Sequence, residues 1–223
     1  MMELIKAKEP FRFYTHMHLP ELTGLKAATL GQLANLIKNV PESAIYNHTH
    51  RFLEEHGYLS PEPSNDFAYW VKEILGEPKL GDRLLHIDTV QYQSLDQLRK
   101  KIVTTIEAYL KVYPLANIKF SKFGDEFHFI KSISFVLPTD YLVYDLSEFK
   151  EVLKKVTTNS IYFHVFEARL RLGRKTNDFS NWIETSLGDN ELAQKISILN
   201  PYIYTLEELR SNIISLIEGK VFS

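Results

Sequence analysis

From Phe11 the chain alternates apolar and polar positions. Phe11, Phe13, Thr15, Met17 and Leu19 fall on one side, Arg12, Tyr14, His16 and His18 on the other, a period of two that predicts a β-strand. Further on the period lengthens to three and four. Leu30, Leu33, Ile37 and Val40 make one apolar stripe, and Leu95, Leu98, Ile102 and Ile106 make another, as amphipathic helices require. Four capping boxes mark helix starts: Thr29 with Gln32, Ser94 with Gln97, Asp145 with Glu148, and Thr205 with Glu208. Two further helices begin after Ser64 and Thr176, read as N-caps, and stop at Gly76 and Gly188, where a left-handed cap suits glycine. Another pair begins near Pro41 and Thr158 and carries a repeated histidine.

These elements recur in order. His48 and His164 are 116 apart (164 − 48), and the nine positions from Val40 and Val156 share Val, Ile, Tyr and His. From Asn65 and Asn177 the offset is 112 (177 − 65), and NDFAYWVKEILGE matches NDFSNWIETSLGD at Asn, Asp, Phe, Trp, Leu and Gly. FRFYTHMHLP and FHFIKSISFVLP align upstream, and LDQLRKKIV and LEELRSNII downstream. The pattern predicts an internal duplication. Repeat one spans 11–110, a connector 111–126, and repeat two 127–218, within a single compact domain over 1–223. The expected fold is mainly α, a pseudo-twofold helical unit in which a short strand opens each copy and the two strands pair as a small sheet.

Composition agrees with a folded globule: 44% hydrophobic and 24% charged residues, with no low-complexity tract outside the termini. Fourteen Phe, twelve Tyr and two Trp supply core more readily than a stacking surface. With 26 Lys and Arg against 28 Asp and Glu, charge is too balanced for nucleic-acid binding. No apolar run is long enough to span a bilayer, and the N-terminus lacks a signal-peptide core, so a cytoplasmic protein without a membrane partner is expected. Zero cysteines exclude disulfides, thiolate nucleophiles and Cys-ligated metals. Whether two chains join as a homodimer is left open.

The repeated polar residues carry the candidate chemistry. On a helix His48 points inward with Ile45, and His164 with Ile161 and Ala168. Each is read either as a core histidine held by Asp66 or Asp178, or, if the two helices meet, as part of a site with Tyr46, Tyr162 and Glu167. His48, His164 and Glu167 are then candidate ligands for a divalent metal. His16 and His18, two apart on a strand, present both rings to one side and are a second candidate pair. His48 and His50 are also two apart, but on a helix such a pair diverges. Arg169, Arg171, Arg174 and Lys175 precede the helix start at Thr176 and are candidate anion ligands, against a plain solvated helix end. Asn65-Asp66 and Asn177-Asp178 read as first-turn caps or as orienters of the histidines. Trp70 and Trp182 read as core. No glycine-rich phosphate loop, GxSxG elbow or HExxH motif is present.

The segments NHTHRFLEEHGYLSPEPSNDFAYWV, EFHFIKSISFVLPT and IYFHVFEARLRLGRKTNDFSNWI resemble the hallmark segments of a prokaryotic family classed as a domain of unknown function. The resemblance covers nearly the whole chain. It implies a conserved unit in bacteria or archaea and carries across no activity, cofactor or catalytic residue. The residues point first to a ligand-binding or regulatory module with a polar pocket between the copies. A metal-dependent, hydrolase-like enzyme and a protein-interaction scaffold are the alternatives.

Overall fold

The structure is a computed structural model that describes residues 5–51, 65–89, 92, 94–172, 176–199 and 204–221, with the side chains of Arg171, Leu172 and Val221 left aside. It is mainly helical. Strand β1 (Phe11–Ala27) is followed by α1 (Leu30–Asn39), α2 (Glu42–Tyr46), α3 (Asp66–Tyr69), α4 (Pro78–Leu85) and α5 (Leu95–Val112). A 3-10 turn at Pro114–Ile118 leads to β2 (Phe127–Val143), then α6 (Leu146–Leu153), α7 (Thr158–Tyr162) with a further helical stretch at Ala168–Leu172, α8 (Asp178–Trp182), α9 (Asn190–Ser197) and α10 (Leu206–Val221). No helix among the described residues is long and apolar enough to cross a membrane.

β1 and β2 form a two-stranded sheet. Thr23 Oγ1 donates to Phe129 O at 2.7 Å and Thr139 Oγ1 to Phe13 O at 2.8 Å, so the strands run antiparallel. Each strand has 17 residues, longer than the alternation suggested, and each contains a proline, Pro20 or Pro138. A two-stranded ribbon is all edge, so a missing amide that faces outward breaks no ladder bond. The expected inward face holds only at its start. Phe11 and Phe13 are buried, but His16 is buried next, while Met17 and Leu19 are 51% and 47% exposed. The buried side changes parity between Phe13 and His16, where the His16 ring packs edge-on against Tyr162 and Phe163.

Two compact units emerge, divided within the strands rather than at the 111–126 connector. Of the described residues, the first unit takes 5–17 and 134–221, the second 18–51 and 65–133. In the first, Phe11 and Phe13 join Phe149, Phe179, Trp182 and Leu209 in one core. In the second, Phe127 and Phe129 join Leu33, Ile37, Phe67 and Ile106. Each core is thus completed by the opening residues of the strand that precedes the other set of helices, and each buried Phe side chain contributes about 1.5–3 kcal/mol.

The four capping residues act as the sequence predicts. Thr29, Ser94, Asp145 and Thr205 accept from the amides of Gln32, Gln97, Glu148 and Glu208. The other cap moves by one residue. Asn177, not Thr176, caps α8: its Oδ1 accepts from Ser180 N at 2.8 Å, and Ser180 Oγ accepts from Asn177 N at 3.1 Å. Asn65 caps α3 through Ala68 N at 2.9 Å, while Ser64 lies outside the described residues. Asparagine wins because its amide group also donates, to Leu84 O from Asn65 and to Ile196 O from Asn177, so one buried side chain ties two helices. Gly76 and Gly188 adopt φ of 64° and 72°, the left-handed caps expected of them.

Four helical stretches widen into π-helix: Asn47–Arg51 after α2, Trp70–Ile74 after α3, Phe163–Glu167 after α7 and Ile183–Leu187 after α8. π-helix is rare and concentrates at functional sites. It also shifts each later side chain off the face that a 3.6-residue period assigns.

Candidate functional site

The caps decide what the histidines do. With Asn177 as N-cap of α8, Asp178 stands at the first helical position, and its Oδ2 lies 2.7 Å from His164 Nδ1. On the other side of the ring, Tyr14 N donates to His164 Nε2 at 2.8 Å. The second unit is built alike: His48 Nδ1 is 2.6 Å from Asp66 Oδ2, and Ile130 N donates to His48 Nε2 at 2.9 Å. Because Nε2 accepts from an amide, it bears no proton, so the ring is neutral and Nδ1–H donates to the carboxylate. The side chain is 2% exposed in both. Both nitrogens are engaged, which leaves neither histidine a lone pair for a metal or for proton abstraction in this conformation. Each is a pin between a strand and a helix.

Aromatic rings seal the pins. Phe11 and Phe179 lie 4.9 and 5.3 Å from His164 between ring centres, and Phe127 and Phe67 lie 4.7 and 5.5 Å from His48. The tryptophans are buried, as expected, and each holds backbone: Trp182 Nε1 donates to Glu9 O at 2.8 Å, and Trp70 Nε1 to Asp125 O at 2.7 Å.

The remaining nominated residues separate. Tyr162 is buried in the first unit, where it stacks on Phe166 at 4.6 Å and meets His16 edge-on at 5.6 Å. Glu167 Oε2 is 3.1 Å from His16 Nδ1, with side chains 13% and 1% exposed. Tyr46 belongs to the second unit; its hydroxyl is 3.1 Å from His18 Nε2, and its ring stacks on His50. His18 Nδ1 is in turn 3.1 Å from Ser132 Oγ. Arg169 Nη2 donates to Ser197 O at 3.0 Å and Leu199 O at 3.5 Å, carbonyls at the end of α9 and just beyond it. The side chain of Arg171 and all of Arg174 and Lys175 lie outside the described residues.

A cleft of about 630 Å³ opens in the first unit beside the His164 pin. Phe11, Phe163 and Trp182 supply buried aromatic walls, Val136 an exposed apolar one, and Arg12, Tyr14, Asp178 and Asn181 the polar positions. Two π-helical stretches reach it, through Phe163 and His164 from one and Thr185 and Ser186 from the other. Of the residues nominated from sequence as ligand-binding, the cleft contains His164. Arg12 and Tyr14 were legible only as the polar side of β1, and Asn181 carried no signal, since a helix start explains its neighbours.

Fold and site together define a mainly helical protein of two compact units, one of them bearing an aromatic cleft beside a buried His-Asp pair. The chain belongs to the DUF5752 family, a family of unknown function whose model matches residues 8–218. It is similar in structure to OrfY from Thermoproteus tenax, with a TM-score of 0.82 and 27% sequence identity, covering 99% of this chain and 100% of that one. Among curated proteins, none matches.

Proposed function

We propose that this protein is a small-molecule-binding module whose site is the cleft of the first unit. The observation that carries the reading is a cavity of about 630 Å³, within the usual size of ligand pockets, in which Phe11, Tyr14, Phe163 and Trp182 stand among charged and polar residues. Two irregular helical stretches converge on it, which supports a role beyond packing. The His164–Asp178 pin serves the site by fixing Tyr14, whose amide it holds, at the cleft wall. The internal duplication read from the sequence is supported by the parallel pins, caps and tryptophan bonds of the two units. The test is a thermal-shift screen of a metabolite library against the native chain and Val136→Trp, which fills the cleft from an exposed position. A hit that stabilises the native chain and not the variant is expected. Hits unaffected by Val136→Trp would place binding elsewhere and refute the cleft as the site.

A second reading, a metal-dependent enzyme, rests on the His16–Glu167 contact. Imidazole and carboxylate together suit zinc, iron or manganese, so this pair of the first unit could supply two ligands to a divalent metal. Elemental analysis of tag-free protein beside His16→Ala tests it. About one metal per chain, lost in the variant, is the expected outcome of that reading, and no metal in either protein removes it.

A further inference from the structure

Resting on the cleft as a binding site, we infer that its ligand is a small monoanion with a flat apolar body, an aromatic carboxylate in chemical class. Arg12 stands exposed at the cleft and makes no ion pair among the described residues. The buried Phe163 and Trp182 and the half-exposed Val136 are apolar walls of the same lining. A planar guanidinium in that lining can match a carboxylate bidentately while the ligand's body meets the apolar walls.

The other charges in the cleft set the limit on that anion. Asp178 and Glu9 also border the cavity. A ligand's first negative charge can pair with Arg12, but a second would face these acids with no second arginine or lysine in the lining, so a dianion or polyphosphate is disfavoured by repulsion. Trp182 Nε1 is already bound to Glu9 O, so the indole meets the ligand as an apolar surface rather than as a donor. The second unit has His128 and Ile130 at the places Arg12 and Tyr14 hold in the alternation of the first strand, so the arginine is particular to the first unit.

The test uses the full chain with three probes of one ring system: 2-naphthoate, 2-naphthalenemethanol and 2-naphthyl phosphate, followed by ligand-observed NMR and calorimetry. The native chain is expected to bind naphthoate about tenfold more tightly than either of the other two, a ratio set by one partly exposed charge pair. Arg12→Leu should abolish the preference while retaining the alcohol, and Val136→Trp should remove all three. Circular dichroism checks that both variants fold, and both positions are exposed. Equal binding of naphthoate and alcohol, lost in Val136→Trp, overturns the monoanion and leaves the cleft standing as a site. Tightest binding of the phosphate overturns the charge argument. Binding of none of them at millimolar concentration overturns both the monoanion and the cleft.

Discussion

The pin formed by His164 can be broken without opening a large hole. His164→Phe keeps a ring of similar size among Phe11, Phe13 and Phe179 but removes both hydrogen-bonding nitrogens. Tyr14 N–H loses its acceptor, at a cost toward the lower end of about 1–3 kcal/mol because this bond is only part-buried. Asp178 loses a charge-assisted bond of about 1.5–3 kcal/mol, reduced in part because its side chain is 16% exposed and can rehydrate. The more apolar ring returns on the order of 1 kcal/mol. The balance is a loss of about 2–4 kcal/mol in the first unit. Urea unfolding monitored at more than one probe measures it, since a chain with two cores need not unfold in a single step. Hydrogen exchange at the Tyr14 amide reports the same bond locally and should accelerate at least about tenfold for a loss of this size. A double cycle with Asp178→Asn should show coupling of about 1–2 kcal/mol. A loss below about 0.5 kcal/mol with unchanged Tyr14 exchange would refute the pin, because losing both of its hydrogen bonds has to cost more than that.

Two other expectations follow from the same interactions. Asn177→Ala removes both the cap on Ser180 N and the donor to Ile196 O, and should cost about 1–2 kcal/mol by denaturant titration, whereas Asn177→Asp should restore the first bond and only part of the stability. Acid should destabilise both units through carboxylates held below their ordinary range. Burial raises Asp145, but the Lys6 ammonium and the Glu148 amide outweigh it; burial likewise raises Glu77, and Lys119 with the Tyr109 hydroxyl outweighs that. A depressed folded-state pKa contributes stability above the unfolded value of about 4, and that contribution disappears as pH falls through the folded value. Stability measured from pH 6 down to pH 3 should therefore fall less steeply in Asp145→Asn and Glu77→Gln, and an unchanged slope in both would contradict the assignment. Tyr109 is pushed up to about 12 by burial and by Glu77, so it stays protonated and keeps donating across this range.

Much of the architecture is local and was legible. A capping box needs only a side-chain oxygen and an amide three residues away, so Thr29, Ser94, Asp145 and Thr205 could be read from spacing alone. Gly76 and Gly188 were legible for the same reason, since a left-handed φ is a property of one residue. The period of two at Phe11 and Phe13 and the helical stripes at Leu33 and Ile37 fix which residues seek a core, because burial follows the sidedness of each element. His48 and His164 were marked as inward and Asp66 and Asp178 as partners.

Which core receives each strand was not legible, because sidedness says that Phe13 is buried but not by which helices. The face change at His16, and with it the exposure of Met17 and Leu19, depends on where a helical layer ends, a distance no period encodes. The π-helical stretches were not legible either, since the wider turn depends on packing around Phe163 and Ile183 rather than on propensity. That Arg169 meets the carbonyls of Ser197 and Leu199 also depends on where the chain places α9. The cleft is the clearest case. The sequence by itself determined the elements, their caps and the inward histidines, because these rest on contacts within four residues along the chain. Only the tertiary structure decided that Arg12, Phe163 and Trp182 share one cavity, because they lie far apart in sequence and are joined by the strand that the His164 pin holds in place.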